Sequence, residues 1–107
     1  MKRSEVMLQK GMTLKEVQDH ILKVDHHPEL KLEVMLKLVE EVGELAVEVR
    51  KESINGPSDT LLTNMKHELY DVLHFVAHIA NIYNINLEDA VIEKDAINAI
   101  RYKEKRR

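Results

Sequence analysis

The sequence predicts an all-α fold: a four-helix bundle completed by dimerisation. Apolar residues recur at helical spacing through four separate stretches. Gly (3) and Pro (2) are too few for a turn-rich β architecture. Each stretch also opens or closes on a cap or a break. With 107 residues, one domain is expected over 1–107, its core spanning about 13–103 and a basic tail at 104–107. A chain this short with such broad apolar faces is expected to bury part of them against a second copy.

The first helix opens at Thr13, where "TLKE" supplies a capping box with Glu16. Leu14, Val17, Ile21, Leu22 and Val24 form its apolar face, and "DHHP" ends it because a residue before proline resists helical angles. The second helix is expected from about Glu29 to Ser53, with Met35, Leu38, Val39, Val42, Leu45, Ala46 and Val49 as its stripe. "NGPSD" is the clearest break. The third runs from near Asp59 to about Tyr83, carrying Leu62, Met65, Leu69, Val72, Leu73, Val76 and Ala80. Asn86 caps the fourth, over about Leu87 to Lys103, before "KEKRR" frays into the tail. The long second and third helices, joined by a short connection, are expected to form an antiparallel hairpin.

Composition narrows the function. There is no cysteine, hence no disulfide framework and no thiol nucleophile. No apolar run is long enough for a membrane span, and "MKRSEVMLQKG" lacks the apolar stretch of a signal peptide, so a cytoplasmic protein is expected with no membrane partner. A net charge of −3 and only 4% aromatics argue against nucleic acid as a partner.

Two acidic pairs stand out, Glu41 with Glu44 and Glu68 with Asp71, each spaced i, i+3. Residues three apart in a helix are surface neighbours. At ~100° per residue, Glu41 and Glu68 border the apolar stripes of their helices and Glu44 and Asp71 lie one step outward. Lys37 and Glu48 share the polar strip of Glu41. If the helices pack through those stripes, four carboxylates converge, and they must be protonated or hold cations. Hard oxygen ligands favour Mg²⁺ or Mn²⁺. Gly43 adds to this, since an interior helical glycine costs about 1 kcal/mol and close approach of a helix or ligand would offset it. The competing reading is a solvated acidic helix flank.

"KLVEEVGELAVEVRK", then "HELYDVLHFVAHIANIYNINLEDAVIEKDAINAIRYK", resembles the MazG-type nucleoside triphosphate pyrophosphohydrolases, in particular their small integron-associated members. The family pattern E-x-x-E, spacer, E-x-x-D falls on Glu41, Glu44, Glu68 and Asp71, with 23 residues between Glu44 and Glu68. The resemblance covers about residues 30–103. It implies a MazG-like helical bundle, hydrolysis of a (deoxy)nucleoside triphosphate to monophosphate and pyrophosphate, and a house-cleaning role in the nucleotide pool. It also implies Mg²⁺ dependence with the four acids as ligands, and a homodimer or homotetramer whose sites are shared between subunits. Lys94, Asn98, Arg101 and Tyr102 carry over as phosphate contacts. Many relatives have base-sandwiching aromatics before residue 37; here "VDHHPELKLEVMLK" has none, leaving His26 or His27 as substitutes or as the polar end of a helix.

On this reading the four acids hold two or three Mg²⁺. Glu41 or Glu44 takes a proton from the attacking water. Lys94, Asn98 and Arg101 fall at i, i+4, i+7 on one face of the fourth helix, where Lys94 and Arg101 stabilise departing pyrophosphate; Lys37 is a further substrate contact. His67, Asp71, His74 and His78 make a competing strip suited to Zn²⁺ or Ni²⁺. Two other functions stay open: phosphoribosyl-ATP pyrophosphohydrolase, and a non-catalytic helical assembly module.

Overall fold

Most of the helix ends are written in local chemistry. The computed structural model describes residues 8–105, with side chains to residue 103. In α1 (Leu14–Val24), Thr13 Oγ1 accepts from the Glu16 N–H at 3.0 Å, while the Thr13 N–H donates to Glu16 Oε1 at 3.0 Å. Both halves of the expected capping box are therefore present. Asp25 turns extended at φ −156° and stops α1. Pro28 then starts one 3₁₀ turn, Pro28–Leu30, so α2 (Lys31–Asn55) begins two residues later than the sequence suggested. It also ends two later, at Gly56, whose φ of +82° suits a residue without a side chain. Ser58 Oγ caps α3 (Asp59–Ile82) by accepting from the Leu61 N–H at 3.1 Å. Asn86 Oδ1 caps α4 (Leu87–Lys105) through the Glu88 and Asp89 N–H groups at 2.8 and 3.2 Å. α4 thus continues two residues into the stretch expected to fray; Arg106 and Arg107 lie outside the described residues.

The architecture is all-α, four helices with no strand among the described residues. α2 and α3 form the main packed pair, α1 lies against α3, and α4 packs on α1. Val17, Ile21 and Ala77 make the small core, with Leu8, Leu73 and Leu87 around it. Buried Gln18 stitches the corner between α3 and α4 to α1: its Nε2 donates to the Ile85 carbonyl, and its Oε1 accepts the Leu87 N–H at 3.0 Å. Asn81 Nδ2 donates to the Gln18 carbonyl at 3.0 Å.

The face that α2 turns to α3 differs from the expected one. Val34 is buried and Leu38, Glu41, Leu45, Glu48 and Glu52 are half-buried, a 4-3-4-3-4 spacing that forms the seam with α3. Met35, Val39, Val42 and Val49, expected inside, are exposed. Two heptad-like stripes run side by side on α2, and only one can face α3. Val91, Ile92, Ile97 and Ile100 of α4 are exposed as well. The single chain leaves 8325 Å² accessible, about 2,000 Å² more than a compact monomer of this mass. Its radius of gyration is 16.6 Å, where about 13 Å is usual.

Candidate metal centre

Because the α2 seam includes positions 41 and 48, and the α3 seam includes 61, 65 and 68, acids stand where a bundle would normally place aliphatic side chains. Oxygens of Glu41, Glu44 and Glu68 all lie within 4.8 Å of one another. Glu41 and Glu68 are half-buried in the seam, rather than at its border, and Glu44 is exposed beside them. Half-buried Asp71 lies outside this set of three, yet its charge is felt at Glu41.

The seam treats its acids unequally. Glu48 accepts from Asn64 Nδ2 at 3.4 Å and faces Lys51 Nζ at 3.7 Å. Glu41 Oε2 and Glu68 Oε2 are buried and have no hydrogen-bond partner. Among the described residues no lysine or arginine pairs with Glu41, Glu44, Glu68 or Asp71. Glu68, next to it, raises the Glu41 pKa, and burial adds to the rise; Glu41 in turn raises that of Glu44. Crowded carboxylates of this kind resist ionisation until a cation joins them. An all-oxygen set with two orphaned buried atoms fits a hard divalent ion.

Gly43 does not meet the expectation set for it within one chain. A Cβ built there would find nothing within 4 Å, so no helix of the same chain approaches it. Lys37, one turn before Glu41, is exposed and faces Glu40 Oε2 at 3.7 Å. Lys94, Arg101 and Tyr102 are exposed and Asn98 half-buried on α4, the helix that leans on α1 rather than on the acidic seam.

The histidine strip is rearranged. His67 is exposed, and His74 and His78 group with Asp25 of the α1 end instead of with Asp71. His74 Nε2 lies 2.7 Å from Asp25 Oδ2, and His78 Nδ1 3.4 Å from the same oxygen. His27 is drawn in, its Nε2 3.3 Å from Asp25 Oδ1 and its Nδ1 3.4 Å from Glu29 Oε1. His26 stands on the wall of a polar cleft with Gln18, Asn81 and Asn86. Sequence reasoning missed Asp25. Its signal was its place as the residue that stops α1, 49 positions from His74.

Residues 29–104 match the model of the MazG nucleotide pyrophosphohydrolase domain. The chain belongs to that family. Two crystal structures of iMazG from Vibrio DAT 722, one tagged at each terminus, are similar to this MazG chain at 40% identity and a TM-score of 0.69. The alignments cover 85% and 82% of this chain and 98% and 99% of theirs. No curated protein matches it. As a MazG domain, the chain is a nucleotide pyrophosphohydrolase with a nucleotide substrate, and its acidic cluster suits the metal dependence general to that family. No helix among the described residues is long and apolar enough to cross a membrane.

Proposed function

We propose that this chain hydrolyses (deoxy)nucleoside triphosphates to the monophosphate and pyrophosphate, as a cytoplasmic single-domain house-cleaning enzyme acting as a homodimer or homotetramer. Glu41, Glu44, Glu68 and Asp71 hold two or three Mg²⁺, with Mn²⁺ as the substitute. The observation that carries this reading is that Glu41, Glu44 and Glu68 bring oxygens within 4.8 Å of one another, while Oε2 of Glu41 and of Glu68 is buried without a partner.

Bound divalent cations neutralise phosphate charge and make water easier to deprotonate. Glu41 or Glu44 orients the attacking water and takes its proton. Water adds across the α–β anhydride, so one oxygen enters the products and pyrophosphate leaves. Lys94 and Arg101 meet the charge on the leaving group, Asn98 and Tyr102 hydrogen-bond the phosphates, and Lys37 adds a cation beside the acids.

The scheme calls for a second copy. The unpaired stripe Met35, Val39, Val42 and Val49 is the apolar surface through which two hairpins would join. The α4 strip then reaches the acids of a neighbour rather than its own. Pyrophosphate release should be screened over common and modified nucleoside triphosphates and phosphoribosyl-ATP, with and without Mg²⁺. Glu44→Gln or Asp71→Asn should abolish release while leaving helical circular dichroism unchanged. Full activity in either variant, or activity on phosphoribosyl-ATP alone, would overturn the reading.

A further inference from the structure

The α2–α3 hairpin has one closed end and one that needs closing. Residues 56–58 join the helices at the first. Glu48 meets Asn64, while Glu41 meets Glu68, so moving toward the start of α2 means moving toward the end of α3. The beginning of α2 therefore lies level with His74 and His78. Between these ends sit four acids whose mutual repulsion, without cations, pushes the two rods apart.

At the second end a carboxylate collects imidazoles. Asp25 Oδ2 takes the His74 Nε2–H at 2.7 Å and faces His78 Nδ1 at 3.4 Å. His78, only 1% exposed, accepts the His27 backbone N–H on Nε2 at 3.0 Å. Both groups of the segment leading into α2 are thus tied to one stretch of α3. Although Asp25, His74 and His78 have donor atoms within 4.8 Å of one another, a metal ion does not suit them. A neutral imidazole that accepts on Nε2 carries its proton on Nδ1, which leaves no lone pair for a cation on the side facing Asp25.

We propose that Asp25, held by His74 beside the His27–His78 hydrogen bond, is a positioning residue that clasps the open end of the hairpin and so sets the spacing of Glu41 and Glu44 against Glu68 and Asp71. The proposal rests on the ligand role given above to those four acids. His74 lies one helical turn from Asp71, so loosening the clasp is transmitted directly to the α3 half of the cluster.

The test is Mn²⁺ affinity, read by electron paramagnetic resonance on nucleotide-free protein well below each variant's Tm, beside the Mg²⁺ dependence of pyrophosphate release. Removing a group that orients metal ligands costs about 10- to 100-fold in affinity. Asp25→Ala should weaken Mn²⁺ binding by about tenfold and raise the Mg²⁺ needed for half-maximal rate in step, with kcat at saturating Mg²⁺ little changed. His78→Gln, whose amide oxygen can still accept the His27 N–H, should stay near the wild-type affinity. If Asp25→Ala is too unstable to purify, Asp25→Leu, which is similar in shape but cannot accept from His74, is read on the same scale. Wild-type Mn²⁺ affinity in a folded Asp25 variant overturns the clasp and leaves the ligand reading intact. Mn²⁺ binding that is absent in the wild type, or unaffected by Glu44→Gln, overturns both.

Discussion

Replacing Glu68 with Gln removes one charge from the acidic seam and keeps its shape. The oxygens of Glu41 and Glu68 lie within 4.8 Å. Two unit charges at that distance repel by about 3.5 kcal/mol at an effective dielectric of 20, and by about 1 kcal/mol in water. For half-buried side chains about 2 kcal/mol is a fair middle value, and the new amide can donate to the orphaned Glu41 Oε2. Without divalent ions, Glu68→Gln should therefore be the more stable protein. For a domain of this size the gain corresponds to a Tm rise of about 10 °C. In excess Mg²⁺ the order should narrow or reverse. A ligand at 100 times its Kd stabilises the wild type by about 2.7 kcal/mol, and the variant has lost one of the ion's ligands. Thermal unfolding followed by circular dichroism, at one chain concentration with EDTA and then with Mg²⁺, reads both effects. A lower Tm for Glu68→Gln in EDTA would refute the repulsion. An equal Mg²⁺ shift in both proteins would refute the cation's place in the seam.

Gly43→Ala should raise stability by about 1 kcal/mol in urea unfolding, since its Cβ enters open space; lost turnover in that stabilised variant would mean a ligand or second copy uses the space. His78 has a pKa below its ordinary 6.5, because burial disfavours the charged ring, so the unfolded chain takes up its proton first. Its contribution is complete above pH 6.5 and lost as pH falls below it; wild type should destabilise over that range in denaturant titrations, and His78→Gln should not. Val39→Glu with Val42→Glu should leave the monomer's seam untouched while abolishing self-association in sedimentation velocity and, with it, activity. Thr13→Ala removes the α1 cap and should cost about 1 kcal/mol by chemical unfolding.

Helix ends were legible because caps are local. Thr13 with Glu16, the break at Gly56–Ser58, and Asn86 each declare themselves within three or four residues. The 3₁₀ turn at Pro28–Leu30 was not, since proline is as compatible with the first turn of an α-helix as with a tighter one. The four acids were visible as paired i, i+3 positions, but the depth of Glu41 was not. Hydropathy on α2 centres near Val39 and Val42, and it cannot say which of two adjacent stripes faces the chain's own α3. Inside the chain the stripe with Val34, Leu38 and Leu45 wins, which draws Glu41 and Glu48 into the seam. The union of Asp25 with His74 was illegible for another reason: it depends on how α1 folds back over α3, a tertiary fact with no periodic trace.

The connection at Gly56 and Pro57 has a consequence for how copies of the chain meet. A tight link between two long rods invites arm exchange, in which the link straightens and each rod pairs with a foreign partner. Straightening here would require one uninterrupted helix through Pro57, which lacks the amide hydrogen and clashes with the preceding turn at a cost of about 3 kcal/mol. The dipeptide therefore disfavours the exchanged form in which the two rods merge into one continuous helix. Substituting both residues with alanine would remove that penalty and open a route to entangled species.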